Sequence, residues 1–218
     1  MAERLVSPRL LFRFAAPVVY RKELWSNRGL QLAEKYRLMS FAALDDAPTF
    51  ADLRMAWSEA GLALTLRVEG KRQRVWCRET RIEDSDGLQI WIDTRDTQNI
   101  HRASRFCHRF VFLPAGAGKQ LAEPVADQLL IGRAREDAET RRAGSLQVRS
   151  EKRIDGYLLE AFIPANALTG FDPAEYPKLG FTYAVSDREL GEQTFSVGSE
   201  YPFATDPSLW GTLELVKD

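Results

Sequence analysis

From Leu62 to Val68 the chain reads LALTLRV, with Leu62, Leu64, Leu66 and Val68 on one side and Thr65 and Arg67 on the other. This period of two predicts an extended strand with one dry face. The alternation returns in GLQIWIDT, where Leu88, Ile90 and Ile92 oppose Gln89, Trp91 and Asp93. Upstream, DLRMAW is another candidate strand, and the turn SEAG joins it to the first as a hairpin. RFCHRFVFLP follows as a strand ended by Pro114 and the glycine-rich AGAG. GSLQVRSEKRIDGYLLEAFIP reads as two strands around Asp155-Gly156, and LGFTYAVSD and WGTLELVKD add two more. Helical pattern is scarce. NRGLQLAEKYRLM has room for about two turns, REDAETRRAG for a polar helix or an exposed loop, and PANALTG for about one turn. Many short strands without regular strand–helix alternation predict an all-β fold, a mostly antiparallel, jelly-roll-like β-sandwich with one or two short helices. The expectation is a single domain over residues 1–218, with residues 1–45 as an N-terminal extension packed on the sandwich or completing it.

A chain of 218 residues, 44% hydrophobic and 28% charged, can close a core without a metal or disulfide staple. Thirty basic and 31 acidic side chains leave a net charge of −1, so overall charge supplies no pull towards nucleic acid or an anionic membrane. Cys77 and Cys107 are the only cysteines, and neither sits in a C-x-x-C pair, which argues against a disulfide framework or a thiolate zinc cluster. One bridge between them stays open. Apolar runs near the N-terminus are broken by Arg9, Arg13 and Arg21, unlike the core of a secretion signal, and no run reaches the roughly 18 apolar residues of a membrane span. As written, the expected location is cytoplasmic, or secreted or periplasmic if a leader has been trimmed away.

The segment IWIDTRDTQNIHRASRFCHRF holds both histidines and one cysteine. On a strand, Cys107 and His108 point to opposite faces, so a joint zinc site would require a bulge. His108 then shares its side with Phe106, Phe110 and Phe112, the setting of a packed histidine satisfied by a hydrogen bond. There is no H-E-x-x-H and no G-x-S-x-G, and PAGAGKQ lacks the spacing of a phosphate loop. No catalytic residue is assigned. For hard cations, EDSDG offers the oxygens of Glu83, Asp84, Ser85 and Asp86 beside a glycine, although not the twelve-residue helix-flanked calcium loop.

Four blocks in order, DSDGLQIWIDTRD, DGYLLEAFIPANAL, LGFTYAVSDREL and DPSLWGTLEL, resemble the family 9 carbohydrate-binding modules and their broader relatives, over approximately Asp46 to Val216. The matching positions are Asp84, Asp86 and Asp93, then Tyr157, Glu160, Ile163 and Pro164, then Asp187, and finally Trp210 with Gly211. The resemblance implies a β-sandwich with a non-catalytic ligand face, aromatic side chains that hold sugar, and structural calcium in some members. Here Asp84, Asp86 and Asp187 are the candidate Ca2+ ligands.

Sugars present apolar C–H faces and rings of hydroxyls, so a site needs an aromatic plate beside directional polar groups. Trp91 is the first candidate, since alternation sets it opposite Ile90 and Ile92 and beside Gln89 and Asp93. Trp76, between Arg74 and Arg78, is the second. Arg95 and Arg109 bring guanidinium donors to the same region, and His108 completes the candidate ligand set. Glu160, if both faces of its strand are packed, requires an arginine, with Arg109 and Arg149 as the choices. The leading expectation is therefore non-catalytic binding of carbohydrate or a related small polar ligand, with no nucleic acid and no membrane span. A small enzyme or sensor built from Asp93, His101 and His108 is one alternative. A structural or protein-interaction module with an unspecified partner is the other.

Overall fold

The alternating segments all become strands. In the computed structural model, which describes residues 7–44, 46–47, 49–140 and 145–217, the strands are β1 (Ala15–Tyr20), β2 (Ala51–Ser58), β3 (Gly61–Val68), β4 (Gly87–Asp93), β5 (Cys107–Ala117), β6 (Glu123–Leu129), β7 (Gln147–Arg153), β8 (Gly156–Pro164), β9 (Lys178–Asp187), β10 (Gly191–Thr194) and β11 (Gly211–Val216). They hydrogen-bond in the order β6-β5-β4-β9-β11-β1-β2-β3-β8-β7, with β10 paired to β9. The sheet folds over so that its two ends meet, and Ser150 Oγ of β7 donates to the Pro114 carbonyl of β5 at 2.7 Å. Gln193 of β10 ties the layers again, accepting from Phe50 N and Ala51 N and donating to Ala51 O. The result is an all-β, nearly closed sandwich. Ladders are antiparallel except at β1, which lies parallel to both β11 and β2.

The main core fills the space between the layers. Leu62, Leu64, Leu66 and Val68 of β3 meet Leu88, Ile90 and Ile92 of β4 and Phe110 and Phe112 of β5 within one buried cluster. At the β7–β8 turn, Gly156 has φ +153°, and a Cβ there would overlap the Val68 carbonyl, so only glycine lets the hairpin approach β3 this closely. No α-helix occurs among the described residues, only short 3-10 turns. NRGLQLAEKYRLM keeps one at Glu34–Tyr36 because its leucines are buried with a period of two: Leu30 and Leu32 pack with Ala56 and Ala63 in a satellite cluster. PANALTG makes its turn at Ala165–Ala167. The described part of REDAETRRAG is irregular, and residues 141–144 lie outside the described residues.

Burial on both faces governs the polar groups. Glu160 of β8 accepts from Leu30 N at 2.8 Å and pairs with Arg149. Arg149 also donates to Ser26 O at 2.7 Å and packs its guanidinium on the Trp25 ring at 4.3 Å. Arg149, not Arg109, is thus the arginine that Glu160 requires. His108 lies in the interior, stacked with Phe110, and its Nδ1 sits 3.1 Å from Gln128 Nε2. Burial pushes its pKa down to about 4, against a weaker opposing effect of the Thr169 backbone.

The expected calcium site is overturned. Asp84 is exposed and bonded to Arg81 at 2.6 Å. Asp86 and Asp187 do converge, but on an ammonium: Lys71 Nζ lies 3.1 Å from Asp86 Oδ2 and 2.8 Å from Asp187 Oδ2, with all three side chains buried. Asp86 also accepts from Trp76 N and Arg188 N, and Asp187 from Glu189 N and Leu190 N. A hard divalent cation seeks several oxygens, and here the carboxylates already hold a monovalent cation and backbone amides. Among the described residues no group of three or more His, Cys, Asp or Glu could hold a metal.

Lys71→Met strands Asp86 and Asp187 without a counter-charge and should cost about 3–5 kcal/mol in denaturant unfolding, whereas neither calcium nor excess chelator should shift the wild-type melting temperature. For Lys71 itself, desolvation is the largest influence and lowers the pKa, but the bonds to Asp187 and Asp86 prevail and the net shift is upward. Its contribution is therefore present below the ordinary lysine range near ~10.4 and lost as pH rises through the folded-state value. His108 has the acid-side sign. The unfolded chain takes up a proton that the folded chain refuses between pH 6.5 and about 4, so stability falls across that window by on the order of 3 kcal/mol. His108→Gln should flatten the fall in melting temperature between pH 7 and pH 4.5, read against wild type because the buried carboxyls of Asp93 and Asp96, both pushed up, slope the other way.

Candidate functional site

The register of β4 and β5 sets Trp91 opposite Arg109 and Gln89 opposite Val111. Side chains two apart share a face, so Gln89, Trp91 and Arg109 stand together on the outer face of the layer. Arg109 Nη2 donates to Gln89 Oε1 at 2.6 Å. Its Nη1 lies 2.7 Å from Glu83 Oε1, which the short turn Glu79–Asp84 hangs over the same face. The guanidinium carbon is 5.3 Å from the Trp91 ring centroid. Arg109 Nε and Trp91 Nε1 are both buried without a hydrogen-bond partner.

Trp91 differs from the exposed plate that alternation suggested. It does oppose Ile90 and Ile92, but it is only 2% exposed, because the segment after β10 covers it and Phe203 meets its ring edge-on at 5.3 Å. The accessible part of this site is polar. The Glu83 side chain is 61% exposed and Arg109 13%, while Gln89 is buried behind the guanidinium it holds. Such a set offers planar donors, an amide and a carboxylate, which suits hydroxyl groups. Glu83 was not singled out as a ligand contact. Its only signal was membership of the acid-rich turn before β4.

The other candidates stand apart. Trp76 is half-buried, and the Arg188 guanidinium caps its ring at 3.4 Å, with Arg78 and Arg81 at 5.5 and 5.6 Å. Asp93 ends β4 and accepts from Arg95 N at 2.9 Å and Thr97 N at 2.7 Å, shaping the following loop. Burial pushes its carboxyl up against those two amides. Arg95 is bound to the Gly170 and Thr94 carbonyls and lies between the rings of Phe106 and Tyr176, at 4.5 and 3.9 Å. His108 faces the interior, on the side opposite Arg109.

The enzyme alternative finds no geometry here. Asp93 lies on the outer face of β4, His108 on the inner face of β5, and His101 in the loop between them. His101 does meet Asp206 and Ser208, but both approach the same nitrogen, Nδ1, at 3.1 Å. A serine–histidine–aspartate relay needs the two ring nitrogens to serve different partners. Cys77 and Cys107 are free and buried, and burial holds both thiols up at about 12. Among the described residues no helix is long and apolar enough to cross a membrane.

The family model described as "Carbohydrate family 9 binding domain-like" matches residues 20–218. Among solved structures, a family 9 carbohydrate binding module from Caldicellulosiruptor kristjanssonii in complex with cellotriose is 14% identical, with a TM-score of 0.61 over 94% of this chain and 95% of that one. The same organism's family 9 module in complex with glucose is 13% identical, with a TM-score of 0.62 over 94% and 97%. A putative carbohydrate-binding protein from Bacteroides uniformis is 14% identical, with a TM-score of 0.50 over 76% and 78%. No curated protein matches the chain. At these identities the structures speak for the fold, while the family model spans nearly the whole sequence. The chain belongs to the carbohydrate family 9 binding domain-like family, a family of non-catalytic carbohydrate-binding domains.

Proposed function

We propose that this domain binds a neutral glucose-type saccharide on the outer face of β4 and β5, through Arg109, Gln89 and Glu83. The observation that carries this reading is the arrest of Arg109 between Gln89 and Glu83, above Trp91, with 13% of its side chain still exposed beside an exposed Glu83. A guanidinium fixed this way has lost its rotamer freedom before any ligand arrives, so less entropy opposes each bond it forms to a hydroxyl. Trp91 supports the guanidinium from beneath and acts as a positioning residue. Glu83, exposed and held at one end only, accepts from a sugar hydroxyl without leaving Arg109 unpaired. The cellotriose and glucose complexes of the structural relatives make those two sugars the natural probes.

Charge-assisted hydrogen bonds are worth about 1.5–3 kcal/mol each. Titration calorimetry with cellotriose should therefore show Arg109→Ala weakening binding by roughly tenfold or more, and Gln89→Ala weakening it in the same direction. Trp76→Ala should leave the affinity nearly unchanged. If Trp76→Ala abolishes binding while Arg109→Ala spares it, the sugar sits on the Trp76 plate and the β4–β5 site is wrong.

A further inference from the structure

A depression of about 930 Å³ lies between the loop from Lys71 to Arg78, the end of β5, the loop around Leu121, and the β7–β8 hairpin. Gln89, Arg109 and Glu83 are not part of it. Its charge is one-sided: arginines and lysines line it, and no carboxylate does. Some of these cations are already engaged, Lys71 by Asp86 and Asp187 and Arg153 by Glu151 at 2.9 Å. Arg72, Arg74 and Lys152 are exposed, and no ion pair holds any of them among the described residues. The nearby Glu189 is turned to the backbone, accepting from Arg72 N and Gln73 N. In a chain of net charge −1, free cations gathered in one concavity create a local positive field.

A separate observation concerns the floor. Tyr157 of β8 lines the depression, is buried, and its hydroxyl has no hydrogen-bond partner. Its burial, with the carboxylates of Asp187 and Asp86 acting in the same direction, raises its pKa. A buried hydroxyl left without a partner is uncommon, because its desolvation is not repaid. At the rim, Leu121 and Ile154 are exposed.

We propose that this groove is a second binding site, for an acidic saccharide: a sugar ring bearing a carboxylate or a sulfate ester. Arg72, Arg74 and Lys152 pair with the anionic group, and Leu121 and Ile154 pack against the C–H face of the ring. The volume suits a ligand of one or two rings. No exposed aromatic ring lines the groove to stack a base, which disfavours single-stranded nucleic acid.

The test is calorimetry on the full chain with digalacturonate, a sulfated disaccharide and cellotriose, for wild type, Arg72→Glu/Arg74→Glu/Lys152→Glu, and Arg109→Ala. The expected result is binding of at least one anionic saccharide, weakened tenfold or more by the charge-reversed variant and by raised salt, and retained in Arg109→Ala. The three reversed positions are exposed, so circular dichroism should show an unaltered fold, and cellotriose binding should persist. Galacturonate binding alone identifies a carboxylate ligand, and sulfated-disaccharide binding alone a sulfate ester. No binding of either anion overturns the proposal, as does binding that the charge reversal leaves intact or that inorganic sulfate displaces at equal concentration. Loss of cellotriose binding in Arg109→Ala bears on the β4–β5 site only, so the two readings fail separately.

Discussion

β4 is buried on both faces, so the polar side chains of Gln89 and Asp93 take their partners from within the protein, while Trp91 Nε1 is left without one. The strand's inner face meets the main core, and on its outer face Trp91 is covered by the segment after β10. Leaving such groups unpaired costs more than each bond returns. The consequences spread through the molecule. Gln89 holds Arg109, Asp93 folds the next loop by accepting two amides, and Asp86, just before the strand, shares the Lys71 ammonium with Asp187 at the end of β9. The sandwich is tied at this strand by polar bonds as well as by packing.

The same constraint leaves polar groups rather than open aromatic faces near the surface. The broad aromatic faces nearest the sheet are spent: Trp91 under Arg109 and against Phe203, Trp25 under Arg149, Trp76 under Arg188. What remains near the surface is a fixed guanidinium with an exposed carboxylate beside it and, elsewhere, a groove whose only charged side chains are cations. A hydroxyl-bearing ligand fits the first, which balances donors and acceptors. An anion fits the second, whose charged side chains are cations and include no carboxylate. Nothing in either site supplies an activated nucleophile, in keeping with a family whose members bind sugar.

Much of the fold was legible because alternation is a local property. Leu62–Val68 and Leu88–Ile92 could be placed facing one core without knowing their partners, and the turn residues around Asp155-Gly156 marked a hairpin. The helix suggested by NRGLQLAEKYRLM failed for a tertiary reason: Leu30 and Leu32 found a surface on β2 and β3 that an extended chain covers better than a helix does. The candidate site was legible in part. Gln89 and Trp91 were grouped by spacing on one strand, and Arg109 by the next, but Glu83 enters from a turn whose direction no local pattern encodes. Calcium was misjudged because Asp86 and Asp187 do meet, yet the residue that neutralises them, Lys71, lies in a loop with no motif of its own.

Periodicity and composition alone determined that the chain forms short strands around one apolar interior, and which side chains share each face. The ordered blocks added the family. Only the closed sheet decided which of the two faces stayed wet, that an ammonium rather than a metal would sit between the carboxylates, and which arginines were left unpaired. Those outcomes turn on contacts between residues far apart in the chain, and burial is a property of the whole assembly of strands rather than of any one segment.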